Sequence, residues 1–253
     1  MTRTRISLIV PLVLLLGAWG CEDKSSTTPP TPVESARTTE SDEMAMWVLG
    51  DLEPPAALSE RIGADLAAIR ARFGDDHPKT VEIDFMLPWE PNRVWLKVDA
   101  ALYDSVAAAL PTSIDAINQR YGGTITRPLY GHGFRWVFID FDHTINPEGL
   151  SEYYIELEGV EFACPSGYIG DWSNVYPAMD PSDRRYLFFE GAGDCPAGCT
   201  ENSYWYFRME NEEVVLVGML EYPHAGGEPA WFSEALALRR NYQHHYGRCA
   251  TRP

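Results

Sequence analysis

The stretch FRWVFIDF, residues 134–141, decides the fold of this chain. It is rich in aromatic and β-branched residues, which is typical of a β-strand. A weaker strand pattern, TITRPLY at 124–130, comes just before it, and the turn GHG at 131–133 separates the two. These two strands are the middle of a longer and regular pattern.

Each side of this stretch carries one helix and one further strand. Upstream, VWLKV at 94–98 is a strand, and Asp99 caps a helix that Pro111 splits in two. Downstream, Asn146 caps a helix with Pro147 in its first turn, and VEFA at 160–163 closes the pattern. The order is therefore β-α-β-β-α-β, the ferredoxin-like split βαβ.

The flanking segments complete an α+β fold. Before the split βαβ, residues 54–74 have the apolar spacing of a helix, and VEIDFML at 81–87 alternates like a half-buried strand. After it, three aromatic strands and a helix at 231–246 predict a small antiparallel sheet with a C-terminal helix. We expect an α+β domain over 46–164 and a disulfide-stapled sheet with its helix over 165–253.

The N-terminus predicts export. Two arginines precede an apolar run at 6–16 that is too short to span a membrane, and small residues follow up to Cys21. Residues 1–20 resemble the signal peptide of a bacterial lipoprotein, which implies that Cys21 is lipidated. The alternative is an ordinary signal peptide with an incidental cysteine. Glu22 favours the outer membrane, and residues 21–45 predict a flexible tether.

The charge of the chain excludes one class of partner. It has 20 Lys and Arg against 37 Asp and Glu, a net charge of −17. Such a surface repels nucleic acid and anionic lipid, so no nucleic-acid partner is expected. The simplest interpretation is a soluble, self-repelling surface.

Four cysteines remain beyond Cys21, and an even number in an exported chain indicates disulfides with three possible connectivities. A zinc site and a redox centre are weaker alternatives. The spacing of Cys195 and Cys199 is one residue too long for thioredoxin chemistry, and no His lies within twenty residues of them.

The segment GDCPAGC at 193–199, followed by SYWYF at 203–207, resembles a segment of uncharacterised exported bacterial proteins. In that group the position of Cys164 is an acid, and Cys249 lies beyond the shared region. The resemblance implies that Cys195 pairs with Cys199, and Cys164 with Cys249. It implies no biochemical function.

Residues 93–164 also resemble the propeptide domains of subtilisin-like proteases, which act as inhibitor and chaperone. That resemblance implies a propeptide-like inhibitor as one alternative function. A second alternative is an enzyme of unknown class. However, no catalytic motif is present, and Asp140 and Asp142 are interpreted as a solvated strand face. We therefore expect no catalytic residue, no metal and no cofactor.

The preferred interpretation is a non-enzymatic lipoprotein of the cell envelope with a binding or structural role. Its partners would be the membrane, through the lipid, and an envelope protein or a glycan. Tyr204 and Tyr206 share one face of a predicted strand, while Trp172 and Trp231 lie in turns or at element ends. These four aromatic residues are the predicted binding surface.

Overall fold

The computed structural model describes residues 37–167, 172–195, 198–224, 226–243 and 249–251. The predicted signal peptide and Cys21 lie outside these ranges. The described part of the chain combines helices with two antiparallel sheets and a C-terminal helix, which confirms the α+β prediction. No helix in these ranges is long and apolar enough to cross a membrane.

The first sheet has five strands. They are β1 (Trp89–Val98), β2 (Gly123–Gly131), β3 (Phe134–Phe141), β4 (Val160–Gly167) and β9 (Ala250–Thr251). Their order across the sheet is β2-β3-β1-β4-β9, and all neighbours are antiparallel. Between β1 and β2 lie α4 (Ala100–Ala107) and α5 (Ile114–Tyr121), and between β3 and β4 lies α6 (Pro147–Ile155).

The helices α4, α5 and α6 cover one face of this sheet. Alternate residues of β1 and β3 point into the same core as these helices, because side chains alternate across a strand. The buried members are Val94, Leu96, Val98, Val137, Ile139, Phe141, Leu102, Ile114, Leu150 and Tyr154. The opposite set of strand residues faces away from the helices.

Local capping explains where these helices begin. The carboxylate of Asp99 accepts from the backbone N–H of Leu102 at 2.8 Å. The side-chain oxygen of Asn146 accepts from the N–H groups of Glu148 and Gly149 at 3.0 and 3.2 Å. Each cap satisfies backbone donors that the first helical turn leaves without a partner.

The second sheet is a four-stranded meander. Its strands are β5 (Asn174–Pro177), β6 (Arg185–Ala192), β7 (Glu201–Glu210) and β8 (Glu213–Leu220), in the order β5-β6-β7-β8. On one face, Phe232 of α7 (Phe232–Gln243) contacts Tyr204 with ring centroids 5.1 Å apart. On the other face, Phe73 of α2 (Ala56–Phe73) contacts Phe207 at 5.3 Å.

The packing groups the elements differently from the predicted domains 46–164 and 165–253. Residues of α2 and of the meander share one hydrophobic core, although they come from opposite sides of that boundary. The range Ser35–Pro253 is one compact unit. The first helix of the predicted α+β domain therefore belongs with the second sheet.

A helix occupies the last part of the predicted tether 21–45, so the prediction is wrong there. This helix, α1 (Thr39–Leu49), begins with a capping box in which the side chains of Thr38 and Ser41 accept from each other's backbone N–H. Met44 is fully buried, and Trp47 contacts Trp89 at 5.4 Å. The apolar residues that hold the helix in place come only after the polar run that predicted disorder.

The segment at 81–87 is not a strand of either sheet, contrary to prediction. It begins in the short helix α3 (Lys79–Glu82) and continues as extended backbone with Ile83, Phe85 and Leu87 buried. Side chains replace the ladder: the Phe85 N–H donates to Glu40 at 2.8 Å, and the Met86 N–H donates to Asn174 at 2.9 Å. The alternating burial of this segment was predicted correctly, but its hydrogen-bond partners are side chains and not a neighbouring strand.

Both predicted disulfide pairings are present. Cys164 on β4 is bonded to Cys249, which precedes β9, and Cys195 is bonded to Cys199 in the loop between β6 and β7. Disulfides persist in oxidising compartments, so these two bonds indicate a non-cytoplasmic protein.

Candidate functional site

The predicted binding residues do not form one exposed surface. Tyr204 is 5% exposed and Tyr206 is 1% exposed, since α7 covers their face of the meander. Trp231 is partly buried and stacks on Tyr206 with ring centroids 6.0 Å apart. Of the four, only Trp172 is well exposed, at 44%. The expectation of an aromatic platform at Tyr204 and Tyr206 is therefore corrected.

An aromatic surface lies instead on the five-stranded sheet, on the side away from α4, α5 and α6. We call it the aromatic face, and it consists of Trp95, Phe134, Trp136, Phe138 and Phe162. Trp95 is 37% exposed and Phe134 is 44% exposed. The register sets Trp95 opposite Phe138, and Lys97 opposite both Trp136 and Phe162.

The rings of the aromatic face contact one another. The Trp95 ring lies 5.3 Å from Phe138 and 6.4 Å from Trp136, measured between centroids. Trp136 lies 6.2 Å from both Phe134 and Phe162. Edge-to-face contacts of this kind stabilise a fixed arrangement, so the rings present a defined shape to solvent.

Two groups of ion pairs lie beside the rings. At one end, the Arg93 guanidinium donates to both carboxylate oxygens of Asp140, at 2.6 and 3.1 Å, and to Glu90 at 2.8 Å. The hydrogen bonds from Arg93 hold the pKa of Asp140 below its usual range. On β1, the Lys97 ammonium pairs with Glu161 at 2.9 Å and lies 4.8 Å from the Phe134 ring centroid.

The aromatic face also adjoins one of the disulfides. Cys164 is the β4 partner of Trp95 in the register, on the side opposite Phe138. The bond to Cys249 therefore closes the sheet next to the central tryptophan. The disulfide therefore links β9 covalently to β4, the strand next to Trp95.

The described residues also form concave sites on the surface, among them an open groove of about 530 Å³ lined in part by Leu110 and Pro128. A cavity of about 70 Å³ lies between α1 and β1, lined in part by Trp47, Leu87 and Trp89. Ligand pockets usually measure about 300–1,000 Å³, so this cavity is small for a metabolite. No group of three or more His, Cys, Asp or Glu side chains in the described ranges could hold a metal ion.

Glu43 on α1 is the carboxylate with the clearest expected pH dependence. Burial, with a smaller contribution from Glu40 and Asp42, raises its pKa from 4.5 to about 7. The charged form is thus disfavoured in the fold, and its contribution to stability is present below pH 4.5 and lost as the pH rises through 7.

We expect Glu43→Gln to raise the free energy of unfolding by about 1–2 kcal/mol at pH 8, after allowance for partial exposure, and by much less at pH 4.5. Denaturant unfolding at both pH values measures the difference. Glu152→Gln, at an exposed site on α6, is the matched control. A gain for Glu43→Gln that is equal at both pH values would contradict this assignment.

Comparison of this chain with protein-family models, with curated proteins and with solved structures finds no match. The fold and the two disulfides define its class as a disulfide-bonded α+β protein of a non-cytoplasmic compartment.

Proposed function

We propose that this chain is a non-enzymatic lipoprotein of the bacterial cell envelope that binds a protein partner through the aromatic face. Lipidated Cys21 would anchor it in the outer membrane, and the residues before α1 would act as a tether. The two disulfides and the signal-like N-terminus support the compartment. The aromatic face supports the binding role.

The composition of the aromatic face carries the proposal. Protein interfaces have a centre rich in Trp, Tyr, Phe and Arg, and a polar rim. Trp95 and Trp136 contact each other here, the pair Arg93–Asp140 lies at one end, and Lys97, paired with Glu161, lies between Trp136 and Phe162. Monomeric proteins seldom leave a contiguous apolar patch exposed without a use for it.

A protein partner fits this surface better than a glycan does. A sugar presents many hydroxyl groups, and each needs a donor or acceptor beside the ring that it stacks on. Beside Trp95 and Trp136, the guanidinium of Arg93 and the ammonium of Lys97 already bind carboxylates of the same sheet. Apolar contact with a partner's side chains makes no such demand on the polar groups.

We further propose that β1 to β4 form a ferredoxin-like split βαβ. The order β2-β3-β1-β4, with antiparallel neighbours and helices on one face, supports it. The same arrangement is compatible with a propeptide-like inhibitor. Such an inhibitor needs a free tail after its last strand, however, and Cys164 in β4 is bonded to Cys249. This contact favours the binding lipoprotein.

The anchor can be tested by Cys21→Ser. We expect the wild-type protein to be found in the membrane fraction with the added mass of acyl chains on residue 21. The variant should lose both the mass and the membrane association, because the rest of the chain is acidic and gains nothing from anionic lipid. A variant that stays membrane-bound at unchanged mass would overturn the lipidation.

The binding role can be tested by the pair of substitutions Trp95→Ala and Trp136→Ala. Truncation of one hot-spot tryptophan commonly costs about 2 kcal/mol, so the double variant should lose at least about 30-fold in affinity for its envelope partner. Both indoles are partly exposed and lie outside the two buried cores, so we expect the fold to survive.

The measurement compares wild type and variant in a quantitative pull-down from envelope extract, followed by titration of the protein retained. Trp172→Ala and Tyr153→Ala are matched controls, since both residues are exposed aromatics outside the aromatic face. Near-UV circular dichroism verifies the fold. Equal retention by the double variant would remove the aromatic face as the binding site.

A further inference from the structure

Two cations beside the aromatic rings, Arg93 and Lys97, are already neutralised by carboxylates. Arg93 contacts both Asp140 and Glu90, and Lys97 contacts Glu161. Three carboxylates thus face two cations beside the rings. The excess of carboxylates over cations in these pairs makes the face better suited to a neutral or a basic partner than to an anionic one.

The exposed rings themselves attract cations. The face of an aromatic ring carries the negative part of its quadrupole, and an ammonium or guanidinium within about 6 Å of the centroid is stabilised there. The Lys97 ammonium, 4.8 Å from the Phe134 centroid, already makes this contact within the protein. Trp95 and Trp136 present larger rings of the same chemistry on the same surface.

The charge of the whole chain acts in the same direction. With 37 acidic against 20 basic side chains, the protein carries a net charge of −17. A field of this sign accelerates the approach of a basic protein and slows that of an acidic one. It also repels a second copy of this chain, which therefore is a poor occupant of the face.

We infer that the occupant of the aromatic face is a basic protein whose exposed Arg and Lys side chains stack on Trp95 and Trp136. This inference rests on the proposed function, because it assumes that the aromatic face is the binding surface. Glu90, Asp140 and Glu161 outnumber the two cations that they bind by one, and this excess negative charge favours the partner's remaining Arg and Lys side chains. The rings determine where the partner's cations bind, and the net negative charge attracts the partner over a longer distance.

The test uses the full-length oxidised protein in a non-ionic detergent and a synthetic peptide with four arginines and no aromatic residue. A second peptide carries citrulline at the four arginine positions, which keeps the shape and removes the charge. We expect the arginine peptide to bind at least 10-fold more tightly than the citrulline peptide. Its affinity should fall as NaCl is raised from 50 to 300 mM, because exposed charges are screened.

The double variant Trp95→Ala, Trp136→Ala separates stacking from general attraction. We expect it to lose at least 10-fold in affinity for the arginine peptide at both salt concentrations, while Trp172→Ala changes little. If the double variant binds as tightly as wild type, the attraction comes from net charge alone and the inference is wrong. Equal binding of the two peptides, or no binding of either, also overturns it.

The outcomes distinguish this inference from the proposed function. If the double variant loses its envelope partner but the arginine peptide does not bind, the aromatic face remains the binding site and only the basic partner is excluded. Saturable binding of a neutral oligosaccharide, lost in the double variant, would assign the face to a glycan. If the double variant keeps both the envelope partner and the arginine peptide, the proposed function and this inference are both wrong.

Discussion

Replacing Asp65 with alanine is expected to lower the free energy of unfolding by about 3–5 kcal/mol, because it leaves a partly buried guanidinium without its main partner. Asp65 on α2 is 1% exposed. Its carboxylate accepts from Arg184 at 2.5 and 3.1 Å and from the Tyr186 hydroxyl at 2.7 Å. The bonds join α2 to Arg184 and to β6 across more than a hundred residues of sequence.

The same arginine provides the control. Arg184 also donates to Glu212 at 2.5 and 3.0 Å, but the Glu212 side chain is 81% exposed. Water therefore replaces that carboxylate readily, and Glu212→Ala should lower the free energy of unfolding far less than Asp65→Ala does. Tyr186→Phe removes one hydrogen bond and should lie between the two, at about 1–1.5 kcal/mol.

Denaturant unfolding of the three variants measures this ranking. If Asp65→Ala costs no more than Glu212→Ala, then burial does not strengthen the pair, and α2 is held on the meander by apolar contacts alone. Asp65→Asn tests the charge separately, since it keeps the shape and one acceptor. We expect its cost to fall between those of Tyr186→Phe and Asp65→Ala.

The elements between β1 and β4 were predictable because their signals are local. Asp99 and Asn146 stand where the next backbone N–H groups need acceptors, and Pro111 lies in the break between α4 and α5. The alternation in 94–98 and 134–141 requires only the residues of each strand. Such signals depend on a few neighbours in sequence and not on the rest of the fold.

The position of the aromatic face was not predictable in this way. Aromatic residues such as Trp205 and Tyr206 occur in β7 just as Trp95 occurs in β1 and Trp136 in β3. The strand pattern alone therefore does not show which rings are covered by other elements. The difference comes from distant helices: α2 and α7 cover both faces of the meander, whereas α4, α5 and α6 all lie on one face of the other sheet. Coverage is a property of the tertiary fold.

The helix α1 was missed for a related reason. Glu40 lies in the polar run that predicted a tether, yet its carboxylate binds Arg70 at 2.6 and 2.8 Å and the N–H of Phe85 at 2.8 Å. These partners are 30 and 45 residues away in sequence. A polar side chain with distant partners has the same local appearance as a solvated one.

Removing the disulfide between Cys164 and Cys249 is expected to cost about 4.5 kcal/mol, because the bond closes a loop with a sequence separation of 85 residues. The bond between Cys195 and Cys199, with a separation of 4, should contribute only about 2 kcal/mol in the same loop-closure model. The double alanine variant at each pair, unfolded by denaturant, provides the comparison and its matched control.

The long disulfide should also matter locally, and the short one should not. Beyond Cys249, β9 is held by its pairing of Ala250 with Ala163 and of Thr251 with Phe162. Phe162 belongs to the aromatic face, and Cys164 is the register partner of Trp95.

We therefore expect Cys164→Ala with Cys249→Ala to alter the near-UV signal of the tryptophans and to weaken partner binding. The variant at Cys195 and Cys199 should retain both. Equal costs for the two pairs would show that unfolded-state entropy does not govern their contribution, and that the loop between β6 and β7 has a larger structural role than its length implies.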